Sequence, residues 1–400
     1  MTVPLLRICD LPHALRDGQQ FAQRSAGRQP AVFLDYDGTL TPIVDRPEDA
    51  VITVPEHAGT LTAAALPEER STAPVKTVTV RTVTTGTLTI GVDIGGTKVA
   101  AGVVDERGTI VATTHRDTPA DDVSQIETVI AAAVLELTSK HDVEAVGIGA
   151  AGFIDVHRST VMFAPNLAWR DEPLQASLQC RLGLPVVVEN DANAAAWAEV
   201  RFGAGRGADH VVTVTVGTGI GGGIVVNGQL LRGQFGAAAE IGHVTIVPDG
   251  RRCGCGLRGC WEQYASGRAL VREAHELVRV SPGIAGELLR LADGRPENIT
   301  GEMVTQAAAA GDVAALRCFE VVGMWLGRGL GGLAAILDPG LFVIGGGVSA
   351  AGEVLRAPAS AAFAASLTGR GYRPMAELRI AELGAEAGLV GAADLARRRS

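Results

Sequence analysis

Three times in this chain a short run of β-branched or apolar residues ends in a cluster of glycines, and that recurrence limits the folds open to it. The first run, Leu88-Thr89-Ile90, leads into Gly91-Val92-Asp93-Ile94-Gly95-Gly96-Thr97-Lys98. The second cluster, Gly217-Thr218-Gly219-Ile220-Gly221-Gly222-Gly223, follows an apolar run over 210–216, and the third, Gly345-Gly346-Gly347, follows one over 341–344. A strand that ends in glycine lets backbone N–H groups and a neighbouring hydroxyl approach a phosphate closely. Taken singly, each cluster reads first as a hairpin turn. Three in this order point to a nucleotide site, and the first, with Asp93 at the strand end, is not a Walker loop.

The pattern around these clusters is α/β. Strands read over 99–104 and 109–114, then Asp121 and Asp122 cap a helix in which Val123, Ile126, Val129, Ile130 and Val134 recur at helical spacing, and a buried strand follows over 145–148. A second cycle gives strands over 185–188, 210–216, 223–226 and 341–344, with helices over 192–200 and 313–337. The expectation is two similar α/β lobes, residues 88–190 and 191–400, with the last helix returning to the first lobe and ligands held in the cleft between them.

The 400 residues are 47% hydrophobic, enough to bury more than one core. With 35 Lys+Arg against 44 Asp+Glu the net charge is −9, so no basic field holds a polyanion and no nucleic-acid partner is expected. No uninterrupted apolar run reaches the roughly 18–20 residues that span a bilayer, and the start lacks a signal-peptide pattern, so a cytoplasmic protein without a membrane partner is expected.

Between the first two glycine clusters lies Glu189-Asn190-Asp191-Ala192-Asn193, where a strand hands over to a helix. An Asp–Asn pair there serves equally as a helix cap or, facing a cleft, as a carboxylate that accepts the proton of an attacking hydroxyl. Of six cysteines, Cys253, Cys255 and Cys260 fall together, with His243 ten residues before the first. Three thiolates and an imidazole make a closed set for structural zinc, although the C-x-C-x₄-C spacing also suits a free-thiol loop.

The order D-I-G-G-T-K, N-D-A-N, G-T-G-I-G-G-G, E-I-G-H and C-G-C-G-L-R-G-C-W-E, over residues 88–400, resembles the ROK family (repressor, open reading frame, kinase), and within it bacterial ROK glucokinases. The glycine loops alone are shared with the wider actin-like and hexokinase-like ATPases. The resemblance implies two actin-like (ribonuclease H-like) ATPase domains around a cleft and ATP-dependent phosphorylation of glucose to glucose 6-phosphate, with Mg²⁺ and structural Zn²⁺. It implies Asp191 as catalytic base, and ATP or phosphate contacts from Asp93, Gly95, Gly96, Thr97, Lys98, Gly217, Thr218, Gly219, Gly345, Gly346 and Gly347. Sugar hydroxyls fall to Asn166, Asn190, Asp191, Glu240, His243 and Glu262, each able to donate or accept. The metal set becomes His243, Cys253, Cys255 and Cys260, so that His243 serves zinc with one ring nitrogen and the sugar with the other. A homo-oligomer, dimer or tetramer, is expected. N-acetylmannosamine, N-acetylglucosamine or fructose as substrate, and polyphosphate as donor, stay open. The family also holds transcriptional repressors, but those carry an N-terminal helix-turn-helix where this chain has a different motif.

That motif, Asp35-Tyr36-Asp37-Gly38-Thr39-Leu40-Thr41-Pro42, follows the apolar run Ala31-Val32-Phe33-Leu34. It resembles the first motif of haloacid-dehalogenase phosphatases, and its continuation to Ala50 resembles trehalose-6-phosphate phosphatases. In that family the first Asp is the nucleophile and the second the general acid. The likeness ends near residue 50, and no lysine or paired acids follow in a suitable phosphatase context, so residues 1–70 read as a truncated phosphatase-like segment and 71–87 as a linker.

Overall fold

A computed structural model describes residues 87–398, apart from 121 and 166. The phosphatase-like segment and most of the linker therefore lie outside the described residues, as does Asn166.

The chain enters with β1 (Thr89–Ile94), β2 (Lys98–Val104) and β3 (Ile110–Asp117), an antiparallel meander. Helix α1 (Val123–Thr138) starts at Asp122, whose carboxylate accepts from the Gln125 amide at 3.1 Å, and buries Ile126, Ile130, Val134 and Leu137 against the sheet. Strand β4 (Val146–Ala150) then pairs parallel with β1. A small antiparallel sheet follows, β5 (Phe153–Ile154), β6 (Val161–Phe163) and β7 (Arg170–Glu172), then α2 (Leu174–Leu182) and β8 (Val186–Asn190), which completes a sheet of order β3-β2-β1-β4-β8.

After α3 (Asp191–Phe202) the plan repeats. Strands β9 (Val211–Val216), β10 (Ile220–Val226) and β11 (Gln229–Leu230) form a second meander. Next come α4 (Glu262–Ala265), α5 (Gly267–Val280), α6 (Gly286–Leu291), α7 (Gly301–Ala309) and α8 (Val313–Leu337). Strand β12 (Leu341–Gly345), helix α9 (Glu353–Ser366), strand β13 (Glu377–Ile380) and helix α10 (Ala387–Arg397) close the chain. The second sheet runs β11-β10-β9-β12-β13, the same order and the same mixture of antiparallel and parallel pairs as the first. This duplicated mixed sheet is the actin-like fold.

Helix α8 has the bounds its sequence predicts. Asp312 caps its start by accepting from the Ala315 amide at 2.8 Å, and Asp338 ends it in the left-handed region at φ 44°. Its 25 residues are long and apolar enough to cross a membrane by composition, yet Phe319, Leu326 and Leu330 are fully buried in the second core, which makes it a core helix. Gly323 and Gly327, one turn apart, let α9 approach so closely that a methyl on Gly327 would overlap the Ala359 carbonyl.

Candidate active site

Asp191 is the first residue of α3, and Asn190 is its cap. The Asn190 Oδ1 accepts from the Asn193 amide at 3.0 Å, and its Nδ2 donates to the Gly152 carbonyl at 3.1 Å. Cap and candidate base thus coexist, since the capping is done by Asn190 while Asp191 accepts from the Ala192 amide, at 2.9 Å. Burial pushes the Asp191 carboxyl above the usual carboxylate range. The helix seats here because β10 presents glycines: a methyl on Gly223 would overlap the Ala196 side chain, and one on Gly221 would press on Ala192. The sequence places these glycines in a turn before a strand at 223, whereas β10 already begins at Ile220.

Asp93 sits near the end of β1. Burial, then the neighbouring Asp191, pushes its carboxyl from 3.8 up to about 6. The floor between the two acids is Gly149 of β4, where a methyl would stand 3.8 Å from both Asp93 Oδ1 and Asp191 Cα. The first glycine turn follows directly: Gly95 N–H donates to the Lys98 carbonyl at 2.9 Å, Gly96, Thr97 and Lys98 are exposed, and Thr118 braces the turn by donating to the carbonyls of Thr97 and Gly95.

The second turn, Gly217-Thr218-Gly219, joins β9 to β10 and closes with Gly217 N–H donating to the Gly219 carbonyl at 3.0 Å. The start of α5 adjoins it, Gly267 N–H donating to the Gly217 carbonyl at 2.7 Å. The third lies alongside, since Gly345 ends β12 opposite Thr215, and Gly346 takes φ 80° with its Cα face against the Val216 backbone. Any side chain at Gly346 would strike that backbone.

Glu240, His243 and Glu262 gather on the Asp191 side. Burial raises the Glu240 carboxyl; the charges of Asp191 and Glu262 add to the rise and His243 opposes it. Glu262 also abuts Gly219, whose added methyl would overlap its Oε2.

The ligand atoms of His243, Cys253, Cys255 and Cys260 all lie within 4.8 Å of one another. Cys253 Sγ is 3.6 Å from His243 Nδ1, and Cys255 Sγ is 3.6 Å from Cys260 Sγ. Zn–S bonds of about 2.3 Å and a Zn–N bond of about 2.0 Å at tetrahedral angles put ligand atoms roughly 3.5–3.8 Å apart, a spacing these two pairs already have, so the set fits zinc. The metal-facing nitrogen is Nδ1, which leaves Nε2 to point elsewhere. The Cys253 thiol donates to Glu262 Oε1 at 3.0 Å, a bond that a zinc-bound thiolate has no proton to make.

One feature of the site has no counterpart in the expected residues. Glu189, 3% exposed, accepts from Arg232 Nε at 2.8 Å and from Asn193 Nδ2 at 3.1 Å, and its Oε2 is 3.4 Å from Arg158 Nε. It thus anchors the Asn190–Asp191 turn from behind. An acid in an otherwise apolar strand, Val186-Val187-Val188-Glu189, is the sequence signal that marks it.

The ROK family profile matches residues 89–399. The glucokinase of Streptomyces coelicolor is 52% identical over 307 residues, 77% of this chain and 96% of the relative, and that of Thermotoga maritima is 41% identical over 67% of this chain and 84% of the relative. A solved ROK family glucokinase from Streptomyces griseus, in complex with glucose and AMPPNP, is 55% identical and superposes with a TM-score of 0.72 over 78% of this chain and 99% of its own. A duplicated mixed sheet, three glycine turns of which the second and third lie side by side, and a Cys₃His cluster thus occur in a chain that belongs to the ROK family.

Proposed function

We infer that the protein is a glucokinase, transferring the γ-phosphoryl group of ATP to the 6-hydroxyl of glucose. The observation that carries this is Asp191, a carboxylate at a helix start that lies close enough to Asp93, beside the first glycine turn, and to Glu240 for each to feel its charge, while Glu262 abuts the second turn at Gly219. The Streptomyces griseus relative, with glucose and a nucleotide analogue bound, supports the choice of sugar and donor.

Asp191 accepts the proton of the attacking hydroxyl. Its raised pKa makes it a stronger base than an exposed aspartate, and proton acceptance by a positioned carboxylate contributes typically 10²–10⁴ in rate. Glu240, Glu262, His243 Nε2, Asn190 and Asn166 hold the other hydroxyls. The turns Gly95–Lys98 and Gly217–Gly219 receive the phosphates through backbone N–H groups, and Gly345–Gly347 faces the adenosine. Asp93 supplies the carboxylate for Mg²⁺, which when bound neutralises charge on the transferring phosphoryl oxygens. His243, Cys253, Cys255 and Cys260 hold the structural zinc, and with Cys253 a thiolate, Glu262 Oε1 becomes free to accept from a sugar hydroxyl.

The protein works in the cytoplasm as a homo-oligomer, in two lobes, 88–190 and 191–400. An ADP-release assay over glucose, mannose, fructose and the two N-acetyl hexosamines tests the reading. Glucose should give the highest kcat/KM, and a preference for an N-acetyl sugar would overturn the substrate.

A further inference from the structure

Helix α10 is the last element of the chain, yet it lies against β1, β4 and the catalytic helix α3. Glycines on both sides make this possible. A methyl on Gly91 of β1 would overlap the Leu389 carbonyl, one on Gly147 of β4 the Ala392 carbonyl, and one on Gly391 of α10 the Ala194 carbonyl of α3. Backbone therefore rests on backbone at three places, leaving no side chain between to absorb a shift.

The two ends of α10 meet the two acids of the site by different routes. At the first turn, a methyl on Gly388 would stand 3.1 Å from Asp93 Oδ2 and 3.2 Å from Asp93 Cγ, so this backbone backs the carboxylate directly. At the last turn Asp394, 1% exposed, accepts from Trp197 Nε1 at 2.9 Å and from Arg201 Nε at 3.2 Å, both on α3, and from Arg397 at 2.8 Å. Glu199 of α3, also 1% exposed, completes the frame by accepting from the Glu382 and Leu383 amides that lead towards α10, at 3.1 and 2.8 Å.

We propose that α10 is a strut that fixes the position of Asp93 relative to Asp191, with Gly388 and Asp394 as its positioning residues. Neither touches substrate. Gly388 limits where the Asp93 carboxylate can go, and Asp394 holds the helix that carries Asp191. The proposal rests on the glucokinase reading for the roles of the two acids, but the packing stands apart from it.

Gly388→Ala separates positioning from stability. Alanine is the better helix former, so the melting temperature should hold or rise, while the methyl displaces Asp93 by a few tenths of an ångström. Misplacement by 1 Å costs on the order of a hundredfold in rate, and the smaller shift here should lower kcat about tenfold with KM for the sugar within about twofold. Affinity for a non-hydrolysable Mg·ATP analogue, measured by calorimetry without sugar, should fall at least about threefold, an outcome that does not depend on which sugar is used. Asp394→Asn, which keeps an acceptor for Trp197, should retain most of the turnover that Asp394→Ala loses. Wild-type kcat and analogue affinity in Gly388→Ala would overturn the strut, as would losses that track a lowered melting temperature. Wild-type inactivity on every hexose would instead overturn the functional reading, and the calorimetric result would still decide the strut.

Discussion

Cys253 Sγ stands 3.6 Å from His243 Nδ1 and, as a thiol, donates to Glu262 Oε1 at 3.0 Å, so one sulfur links the metal cluster to a carboxylate of the proposed sugar site. Zinc and sugar binding should therefore rise and fall together. Metal analysis should find one zinc per chain. Its removal should lower the melting temperature and raise KM for glucose at least about fivefold, because a reprotonated Cys253 takes back the Glu262 oxygen and His243 loses its fixed orientation. A zinc-free protein with unchanged KM would contradict the link.

Asp93→Asn should stabilise the protein while disabling it. The native carboxyl titrates near 6 rather than 3.8, so between these values the folded chain holds more protons than the unfolded one. Stability from this group is therefore fully present below about 3.8 and lost as pH rises through about 6. Removing the charge should recover on the order of 1–2 kcal/mol at pH 7, allowing for partial solvent screening, and flatten that part of the pH–stability curve. Urea unfolding at pH 4.5 and 7 checks both, with kcat expected to fall at least about a hundredfold.

Arg232→Ala should destabilise by about 2–4 kcal/mol, because it leaves the buried Glu189 charge with Arg158 as its one remaining ion-pair partner among the described residues. Surface pairs such as Arg279 with Glu276 should be worth less than about 0.5 kcal/mol when broken, since both partners are solvated. Equal effects of the two variants in denaturant titrations would count against this account of Glu189.

Much of the site was legible along the chain because its parts are local. Strand, acid and glycine turn fall within a few residues at Asp93, a strand hands over to a helix directly at Asn190-Asp191, and Asp312 announces α8 by its place before an apolar run. What was not legible depends on residues far apart in sequence. A last helix returning to the first lobe is expected, but its partners are not: Asp394 and Trp197 are 197 positions apart, and no periodicity gives the contact faces of α10, whose residues are buried on nearly every side. The glycines of β10 look like a turn when read alone. Only the packing of α3 upon them shows why a strand there lacks side chains.

The N-terminal segment should be dispensable. Thr85–Ser400 form one compact unit, and residues 51–87 offer Lys76 and Glu68-Glu69 but no further paired acids to complete a phosphatase around Asp35. A protein beginning near Leu88 should keep its kcat and KM, and the full chain should release no phosphate from trehalose 6-phosphate. Hydrolysis that disappears in Asp35→Asn would show a second working site.

The most direct test is steady-state kinetics of Asp191→Asn with ATP, Mg²⁺ and glucose. Asparagine keeps the shape and the hydrogen bond from the Ala192 amide but cannot take the hydroxyl proton. Catalysis by Asp191 predicts a fall in kcat of at least about a hundredfold with KM for glucose within about threefold. Turnover close to that of the unmodified protein would contradict it.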